Sequence, residues 1–251
     1  MRPELMSSTM VEDTNSLTNL LNTILALPIT PKPALYLDLE GANLSREGSI
    51  SLISLYIHPT KSAYLIDIHT LRELAFTTPS STNPSETLKT ILESRVIKKV
   101  FFDVRNDSDA LFAHFNISLN GIIDIQLMEL GARVGWKRYL IGLSKCITRY
   151  IPLTEAEKTE CEKVKEDGKK LFAPERGGSY EVFNARPLKD EMMNYCLQDI
   201  VFLPILWETF IVRLRGSRWL NSVETETLKR VQASQSRGYE PHGRNKALGP
   251  W

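Results

Sequence analysis

The 251-residue sequence contains only three cysteines, Cys146, Cys161 and Cys196, and no CxxC pair. This scarcity argues against a zinc knuckle and against a disulfide framework. Neither sign of charge is in excess, since 31 Lys and Arg residues face 30 Asp and Glu residues. The balance excludes a generally polycationic nucleic-acid binder but is compatible with a local basic groove. No apolar run reaches the roughly 18 residues of a membrane span, and no signal-peptide pattern is present, so we expect a soluble intracellular protein, cytoplasmic or nuclear.

Hydrophobic residues make up 42% of the chain, which is enough to bury one substantial core. We therefore expect one domain with additions at both ends. The predicted divisions are an N-terminal helical extension over 1–32, the main domain over 33–214, and a C-terminal helix and tail over 215–251 that pack on the same domain.

The first half of the chain is predicted to form one helix and then five strands, from its alternating and apolar segments. Residues 1 to about 12 are polar and are expected to be loose, after which leucine and isoleucine spacing over 17–25 predicts a helix capped by Ser16 or Asn15. Prolines 28, 31 and 33 end that helix. The predicted strands lie at 34–40, 50–58, 62–68 and 96–102, and a short fifth strand begins at 121 and ends near Asp124. Short connections make the first three an antiparallel meander, and a helical crossover makes the fourth parallel to the first.

The remaining pattern is mostly helical. We expect helices opened by Pro84-Ser85-Glu86, over 105–115, and at about 126–134, 139–149, 154–171, 188–214 and 221–235. The fold class is therefore α/β, with a mixed five-stranded sheet flanked by helices and a helical C-terminal half. The charged stretch within 154–171 is interpreted as a solvated helix face with ion pairs, and the alternative is an arm that guides substrate.

Two acids, Asp38 and Glu40, lie at the end of the first predicted core strand, in ALYLDLEG. Residues two apart on a strand point to the same face, so both carboxylates leave the sheet on one side. Desolvated neighbouring carboxylates repel each other, and a divalent cation between them removes that cost. The same residues also fit a strand that has simply ended with both acids in solvent.

A second acidic position follows the fourth strand, in KVFFDVRNDSDALF. Asp107 is the predicted ligand because the buried Leu111 lies one helical turn further along the same face. Asp109 points about 200° away around the helix and is interpreted as solvated or as a partner of the helix dipole. Asp103, at the strand end, is a candidate helix cap.

The third element is the segment EMMNYCLQDIVFL, in which Tyr195 and Asp199 are four residues apart on one helical face. A structural interpretation has Tyr195 donating to a backbone carbonyl and Asp199 pairing with an arginine such as Arg186. In the functional interpretation, Asp199 binds a cation and Tyr195 positions a water molecule. Four acids and this tyrosine on three separate elements suit a phosphodiesterase site with two metal ions.

These motifs resemble those of the DEDD superfamily of 3′–5′ exonucleases, in the ribonuclease D group that carries a tyrosine in its third motif. LDLEG is similar to the first motif, KVFFDVRNDSDAL to the second and YCLQD to the third, and ARPL before the last helix agrees as well. The resemblance covers residues 33–212. It departs from many relatives at Phe102, where they have a histidine, and in the longer charged insertion over 154–184.

The resemblance implies an RNase H-like exonuclease domain that binds two Mg²⁺ or Mn²⁺ ions. It implies that Asp38, Glu40, Asp107 and Asp199 are metal ligands and that Tyr195 orients water. On this basis Asp38, Glu40 and Asp199 are expected to hold the first ion. Asp38 would also reach the second ion, which Asp107 would hold through water.

The implied reaction is hydrolysis of the terminal phosphodiester at the 3′ end of RNA or single-stranded DNA, releasing nucleoside 5′-monophosphates. Residues that could contact this substrate are basic or aromatic: Arg105, Arg186, Phe102 and Tyr180. Two alternatives stay open from the sequence. One is a non-catalytic nucleic-acid-binding or scaffold protein on the same fold, and the other is a phosphodiesterase acting on small dinucleotides.

Overall fold

A single mixed sheet organises the computed structural model, which describes Leu5 and residues 7–251. Its strands are β1 (Ser7–Val11), β2 (Leu35–Glu40), β3 (Leu52–Ile57), β4 (Ser62–Asp67), β5 (Lys99–Phe101) and β6 (Ile122–Asp124). The spatial order is β1-β4-β3-β2-β5-β6. Strands β2, β3 and β4 form the predicted antiparallel meander, while β5 and β6 run parallel to β2.

Strand β1 is the sixth strand, and the prediction of five strands with a loose segment over 1–12 was wrong for residues 7–11. Ser7 to Val11 pair in parallel with Ser62 to Ile66 of β4. The side chains of this edge strand are mostly exposed, and Val11 is buried. A polar edge strand shows no apolar alternation, so its pairing partner 55 residues away determines its structure rather than its own pattern. The remaining residues of that prediction lie outside the described part of the chain or precede the first helix.

The helices occupy the connections and most of the C-terminal half. They are α1 (Thr14–Leu25), α2 (Ile68–Leu71), α3 (Leu74–Thr77), α4 (Leu88–Glu93), α5 (Arg105–Phe115), α6 (Ile125–Ala132), α7 (Leu143–Tyr150), α8 (Glu155–Phe172), α9 (Asp190–Val201), α10 (Leu203–Leu214) and α11 (Trp219–Ser234). Short 3-10 turns lie at His58–Thr60, Pro174–Arg176, Tyr180–Phe183 and Arg244–Ala247.

Several predicted helix ends differ from the structure for local reasons. Asp13, rather than Ser16 or Asn15, caps α1, because its carboxylate accepts from the amides of both of those residues. Thr87 caps α4, so the segment Pro84-Ser85-Glu86 precedes that helix instead of opening it. The predicted helix over 188–214 is interrupted at Phe202, because Pro204 near the start of α10 cannot donate a backbone hydrogen bond to the preceding turn.

The two faces of the sheet have separate cores. Alternate residues Leu35, Leu37 and Leu39 of β2 face the core that contains α1, α4 and α5. Tyr36, between them, faces the opposite core with α6, α7 and α10. Because side chains alternate along a strand, Asp38 and Glu40 project on the Tyr36 face, the side on which α9 packs against β2.

Helices α9 and α10 together are long and apolar enough to cross a membrane by composition alone, with 25 residues from Asp190 to Leu214 and a mean hydropathy of 1.5. Half of the most apolar window is buried inside the protein. Leu206, Phe210 and Leu214 of this unit belong to the core on the Tyr36 face of the sheet. Burial in that core accounts for its hydrophobicity.

Candidate active site

The end of β2 presents two acids to one side of the sheet. Asp38 pairs across the ladder with Ser54 of β3, and Glu40 pairs with Leu52. Directly opposed residues share a face, so Ser54 stands beside Asp38. The Ser54 hydroxyl is buried and has no hydrogen-bond partner within the described part of the chain. A buried hydroxyl without a partner is costly, so β3 brings an unsatisfied polar group to the side of Asp38.

Asp107 reaches the same strand end from the first turn of α5. Its Oδ1 accepts a hydrogen bond of 3.1 Å from the amide of Leu39, the residue between the two acids of β2. Strand β5 pairs with β2 only at Leu35 and Tyr36, so the Leu39 amide has no ladder partner on that side. Asp107 satisfies this amide, and it is buried as predicted.

Asp199 completes the cluster from α9. One carboxylate oxygen from each of Asp38, Glu40 and Asp199 can be chosen so that all three lie within 4.8 Å of one another. A cleft of about 540 Å³ opens over these acids, and it is also lined by Tyr195, Lys165 and other residues of the second half of the chain, namely Gly142, Leu143, Ser144, Lys145 and Lys169. Three elements that are distant in sequence therefore converge on one cleft.

The structural interpretation of Asp199 as a partner of Arg186 was wrong. Arg186 instead forms a two-point ion pair with the buried Asp67, with Nε–Oδ2 and Nη2–Oδ1 distances of 2.5 Å. Asp199 is paired with Lys165 of α8. Arg186 and Lys165 both lie outside α9, so the spacing of residues along that helix could not decide which of them pairs with Asp199.

Asp109 is buried, and the interpretation of it as solvated was wrong. Its carboxylate accepts from the backbone amide of Arg46 at 2.8 Å and from the Arg46 Nε at 2.6 Å. Arg46 also donates to the carbonyl of Ser234 at the end of α11. Asp109 therefore anchors the loop after β2 to the C-terminal helix and does not join the acids of the cleft.

Asp103 does not cap α5, contrary to its candidate role. Its side chain pairs with Arg105, while the carboxylate of Asp124 accepts from the amides of Asp103 and Val104. Asp124 also caps α6 and pairs with Arg230. One buried carboxylate at the end of β6 thus fixes the start of two helices.

Burial and mutual repulsion raise the pKa values of the clustered acids. Burial raises the pKa of Asp38 well above its ordinary value, and the charges of Glu40, Asp107 and Asp199 raise it further against the opposing charge of Lys165. Burial, with help from Asp199, raises the pKa of Glu40 to about 8. Burial also raises the pKa of Asp107 to about 7, although backbone hydrogen bonds lower it. Ionising this cluster fully requires a compensating cation.

The ring of Tyr195 is held on three sides. The Lys165 ammonium lies 4.0 Å from its centroid, and Phe172 packs edge-on at 5.1 Å. A Cβ added at Gly168 would lie 2.5 Å from the ring. Burial and the nearby charges of Glu40, Asp199 and Asp38 raise the pKa of Tyr195 above its usual range. The phenol therefore keeps its proton and can donate a hydrogen bond towards the cleft.

The donor set of the cleft suits Mg²⁺ or Mn²⁺. Both are hard cations that prefer carboxylate and water oxygens, and the cluster offers only such atoms. The spacing of Asp38, Glu40 and Asp199 would allow one ion to contact all three. Asp107 is neither one of these three acids nor one of the residues that line the cleft, and it is linked to them through its hydrogen bond to the Leu39 amide, one residue from Asp38.

We expect the metal-free protein to lose thermal stability as the pH rises from about 5 to about 8. The pKa of Glu40 rises from 4.5 to about 8 on folding, and that of Asp107 rises from 3.8 to about 7. Between these values the folded state holds protons that the unfolded state has released, so this stability is present at low pH and is lost as pH passes the folded pKa values.

Divalent cations should reverse that trend, because they bind the ionised carboxylates. The gap between the unfolding midpoints with Mg²⁺ and with chelator should widen over the same pH interval. Thermal unfolding followed by circular dichroism measures both series. A gap that stays constant with pH would contradict the linkage.

The predicted substrate contacts occupy different environments. Phe102 lines the cleft, and Tyr180 is 37% exposed and stacks on Phe172. Arg105 is bound to Asp103 at 2.6 Å, outside the residues that line the cleft. Arg186 is engaged with Asp67 as described above. Of the four, only Phe102 is among the residues lining the acid cleft.

Lys165 is the residue of the site that sequence reasoning missed. The charged stretch that contains Lys165 was interpreted from the sequence as a solvated helix face. Most charged residues of α8 do lie outside the core. The signal was present, however, because the buried residues of α8 are Cys161, Lys165 and Gly168, spaced by four and three. A helix with few apolar residues shows its inner face by its small and uncharged positions, and Lys165 lies on that face.

Comparison with known proteins identifies the class. A family model described as 3′–5′ exonuclease matches residues 8–215. The chain therefore belongs to the 3′–5′ exonuclease family, in agreement with the predicted DEDD-superfamily resemblance. Two curated relatives are the piRNA biogenesis proteins EXD1 of Bombyx mori, 28% identical over 46% of this chain, and of Mus musculus, 34% identical over 41%. The matches span only 35% and 16% of those two proteins.

Solved structures show the same fold. Trypanosoma brucei RNase D in complexes with GMP and with RNA U12 aligns with TM-scores of 0.69 and 0.68, each at 18% identity. The alignments cover 92% and 98% of this chain and 64% and 81% of those chains. NrnC of Brucella melitensis bound to pGG aligns with a TM-score of 0.59 at 14% identity, covering 92% of this chain and 93% of that one. The six-stranded mixed sheet with a helical C-terminal half is thus an RNase D-like fold.

Proposed function

We propose that this protein is a metal-dependent exonuclease of the tyrosine-containing DEDD subtype. It removes nucleotides from the 3′ end of RNA or single-stranded DNA as nucleoside 5′-monophosphates. The observation that carries the proposal is the convergence of Asp38, Glu40 and Asp199 within 4.8 Å, with Tyr195 one turn before Asp199 in the same cleft. Membership of the exonuclease family supports it. We place the activity inside the cell, in the cytoplasm or nucleus, where such strands occur.

We assign the residues the following roles in the proposed reaction. Asp38, Glu40 and Asp199 would hold one divalent ion, and Asp38 with Asp107 would hold a second. Bound ions would supply neutralisation of the scissile phosphate and a lower pKa for the attacking water. Tyr195 retains its proton and can donate a hydrogen bond to orient that water or a phosphate oxygen.

The wall of the cleft is suited to a polyanion. Residues 130–154 include five Lys and Arg residues and no Asp or Glu, and the middle of this segment, Gly142 to Lys145, lines the cleft. Val134 and Trp136, which precede these lining residues in the same segment, are 98% and 87% exposed. Exposed aromatic rings with basic neighbours bind single strands by stacking and by charge. We propose that this segment contacts nucleotides upstream of the 3′ end.

The decisive experiment uses matched RNA and DNA strands that carry a 5′ label and a free 3′ hydroxyl. With Mg²⁺ or Mn²⁺ the strands should shorten stepwise from the 3′ end and release nucleoside 5′-monophosphates, and a chelator should stop the reaction. Strands with a blocked 3′ end serve as the control. Persistent binding without any product would favour a non-catalytic nucleic-acid-binding protein or scaffold instead.

One observation favours a second candidate, a phosphodiesterase for small dinucleotides. The similar structure of NrnC contains pGG, and the two folds match over most of both chains. Competition distinguishes the candidates. An unlabelled dinucleotide should outcompete an equal concentration of a longer oligomer only if the dinucleotide is the preferred substrate.

Replacing Trp136 with alanine should weaken the binding of long single strands and leave the binding of dinucleotides unchanged. Loss of one stacking platform is expected to raise the KM for a long single strand by about 5-fold or more, because a stacked base contributes roughly 1–3 kcal/mol. The KM for a dinucleotide should not change. Leu74→Ala is the matched control, since Leu74 is 54% exposed on α3, which packs beneath the opposite face of the sheet. Equal effects on short and long substrates would contradict this prediction.

A further inference from the structure

Lys165 is a buried ammonium group inside the acid cleft. Its Nζ forms an ion pair with Asp199 Oδ1, and the two side chains are 11% and 8% exposed. The same Nζ lies 4.0 Å from the centroid of the Tyr195 ring. The mechanism proposed above assigns no role to this lysine, although it contacts two of the residues on which that mechanism depends.

The backbone of α8, rather than a flexible side chain alone, determines where Lys165 lies. One turn after it, Gly168 packs so closely on Tyr195 that a Cβ would collide with the ring. One turn before it, the carbonyl of Cys161 accepts a hydrogen bond of 3.0 Å from Gln198 of α9. Contacts on both sides thus hold α8 against α9 with Lys165 pointing at Asp199.

Burying an ammonium group costs several kcal/mol unless opposite charges surround it. Here the opposite charges are the carboxylates of the cleft. Lys165 pairs with Asp199, and its positive charge lowers the pKa values of Asp38 and Glu40, which burial and the neighbouring acids raise. Without any cation, three carboxylates within 4.8 Å would repel one another in a buried site. The lysine therefore supplies positive charge where the donor set otherwise calls for a divalent ion.

We propose that Lys165 is a resident cation that neutralises the acid cleft when no metal is bound and competes with divalent ions for Asp199. Filling the site then requires the ammonium to release that carboxylate. Lys165 consequently sets the metal concentration at which the site fills and keeps the metal-free protein folded. This inference rests on the metal site of the proposed function, but it does not require nuclease activity.

The test compares Lys165→Met with Lys163→Met in the full chain. Lys163 is exposed two residues away on the same helix and controls for loss of charge. Mn²⁺ binding is titrated by electron paramagnetic resonance in the absence of nucleic acid. Lys165→Met should bind Mn²⁺ roughly tenfold or more tightly than wild type, because one competing buried charge is gone. Lys163→Met should match wild type.

Thermal unfolding provides the second readout. In chelator, Lys165→Met should unfold at a lower temperature than wild type, and saturating Mn²⁺ should remove most of that difference. Lys165→Arg retains the charge and should keep the wild-type Mn²⁺ affinity. Because this variant keeps a cation in the cleft, it gives a result even if Lys165→Met does not fold without metal.

Unchanged or weaker Mn²⁺ binding in Lys165→Met would overturn the proposal, as would tighter binding in Lys165→Arg. If wild type binds no Mn²⁺ at all, the metal site of the proposed function fails together with this inference. If wild type binds Mn²⁺ but digests no strand, only the proposed nuclease activity fails.

Discussion

Asp38→Asn is expected to reduce 3′–5′ hydrolysis by about 1,000-fold or more while leaving the fold intact. In the proposed mechanism Asp38 would contact both ions, and its carboxylate lies within 4.8 Å of Glu40 and Asp199. Metal ions contribute several kcal/mol of transition-state stabilisation, and a loss of about 4 kcal/mol corresponds to about 1,000-fold in rate. The neutral amide of asparagine is a much weaker ligand than a carboxylate.

The same substitution should stabilise the metal-free protein. Burial and three neighbouring acids raise the pKa of Asp38, so ionising it in the folded state is costly. Asparagine removes that cost, and the unfolding midpoint in chelator should therefore rise at neutral pH. The stabilisation that Mg²⁺ gives to wild type should shrink in the variant.

Single-turnover digestion of a labelled strand and thermal unfolding measure these two effects on one preparation. Asp190→Asn is the matched control, because Asp190 is an exposed acid in the first turn of the helix that carries Asp199. It should change neither property. Near-normal hydrolysis by Asp38→Asn would show that the reaction takes place elsewhere.

Local pattern was sufficient to predict much of the fold, and the structure brings three of the four predicted acids, Asp38, Glu40 and Asp199, together in one cleft. The meander formed by β2, β3 and β4 and the full extent of α5 were confirmed, because each has a clear apolar period and recognisable ends. The periodicity of a strand also placed Asp38 and Glu40 on one face. Four-residue spacing did the same for Tyr195 and Asp199.

The features that sequence reasoning missed depend on partners far along the chain. Strand β1 is defined by β4, Asp109 is buried by Arg46, and Asp199 is paired with Lys165. Asp109 and Asp199, which would be solvated on isolated helices, are buried by oppositely charged partners, and the polar strand β1 is held by backbone pairing. Periodicity reports which face of an element is apolar, but it carries no information about such pairings.

Arg186→Met is expected to destabilise the fold by about 3–5 kcal/mol, the usual cost of leaving one partner of a buried ion pair alone. Asp67 is fully buried at the end of β4 and receives two hydrogen bonds of 2.5 Å from Arg186. Burial alone would raise the pKa of Asp67, but the hydrogen bonds from Arg186 and Thr70 outweigh it and hold that pKa below its ordinary value. Without Arg186 the buried carboxylate loses most of its compensation.

The double variant Asp67→Asn/Arg186→Met separates the loss of the pair from the cost of a stranded charge. Asparagine is neutral, and its side-chain oxygen can still accept a hydrogen bond from the amide of Thr70. It would therefore still cap α2, as Asp67 does. The double variant should therefore recover at least half of the stability that Arg186→Met loses. Lys158→Ala, which breaks an exposed pair with Glu155, should cost less than about 1 kcal/mol. Urea unfolding curves of all three variants measure these differences, and a double variant no more stable than Arg186→Met would show that Arg186 acts through its bonds to the carbonyls of Phe183 and Ala185 instead.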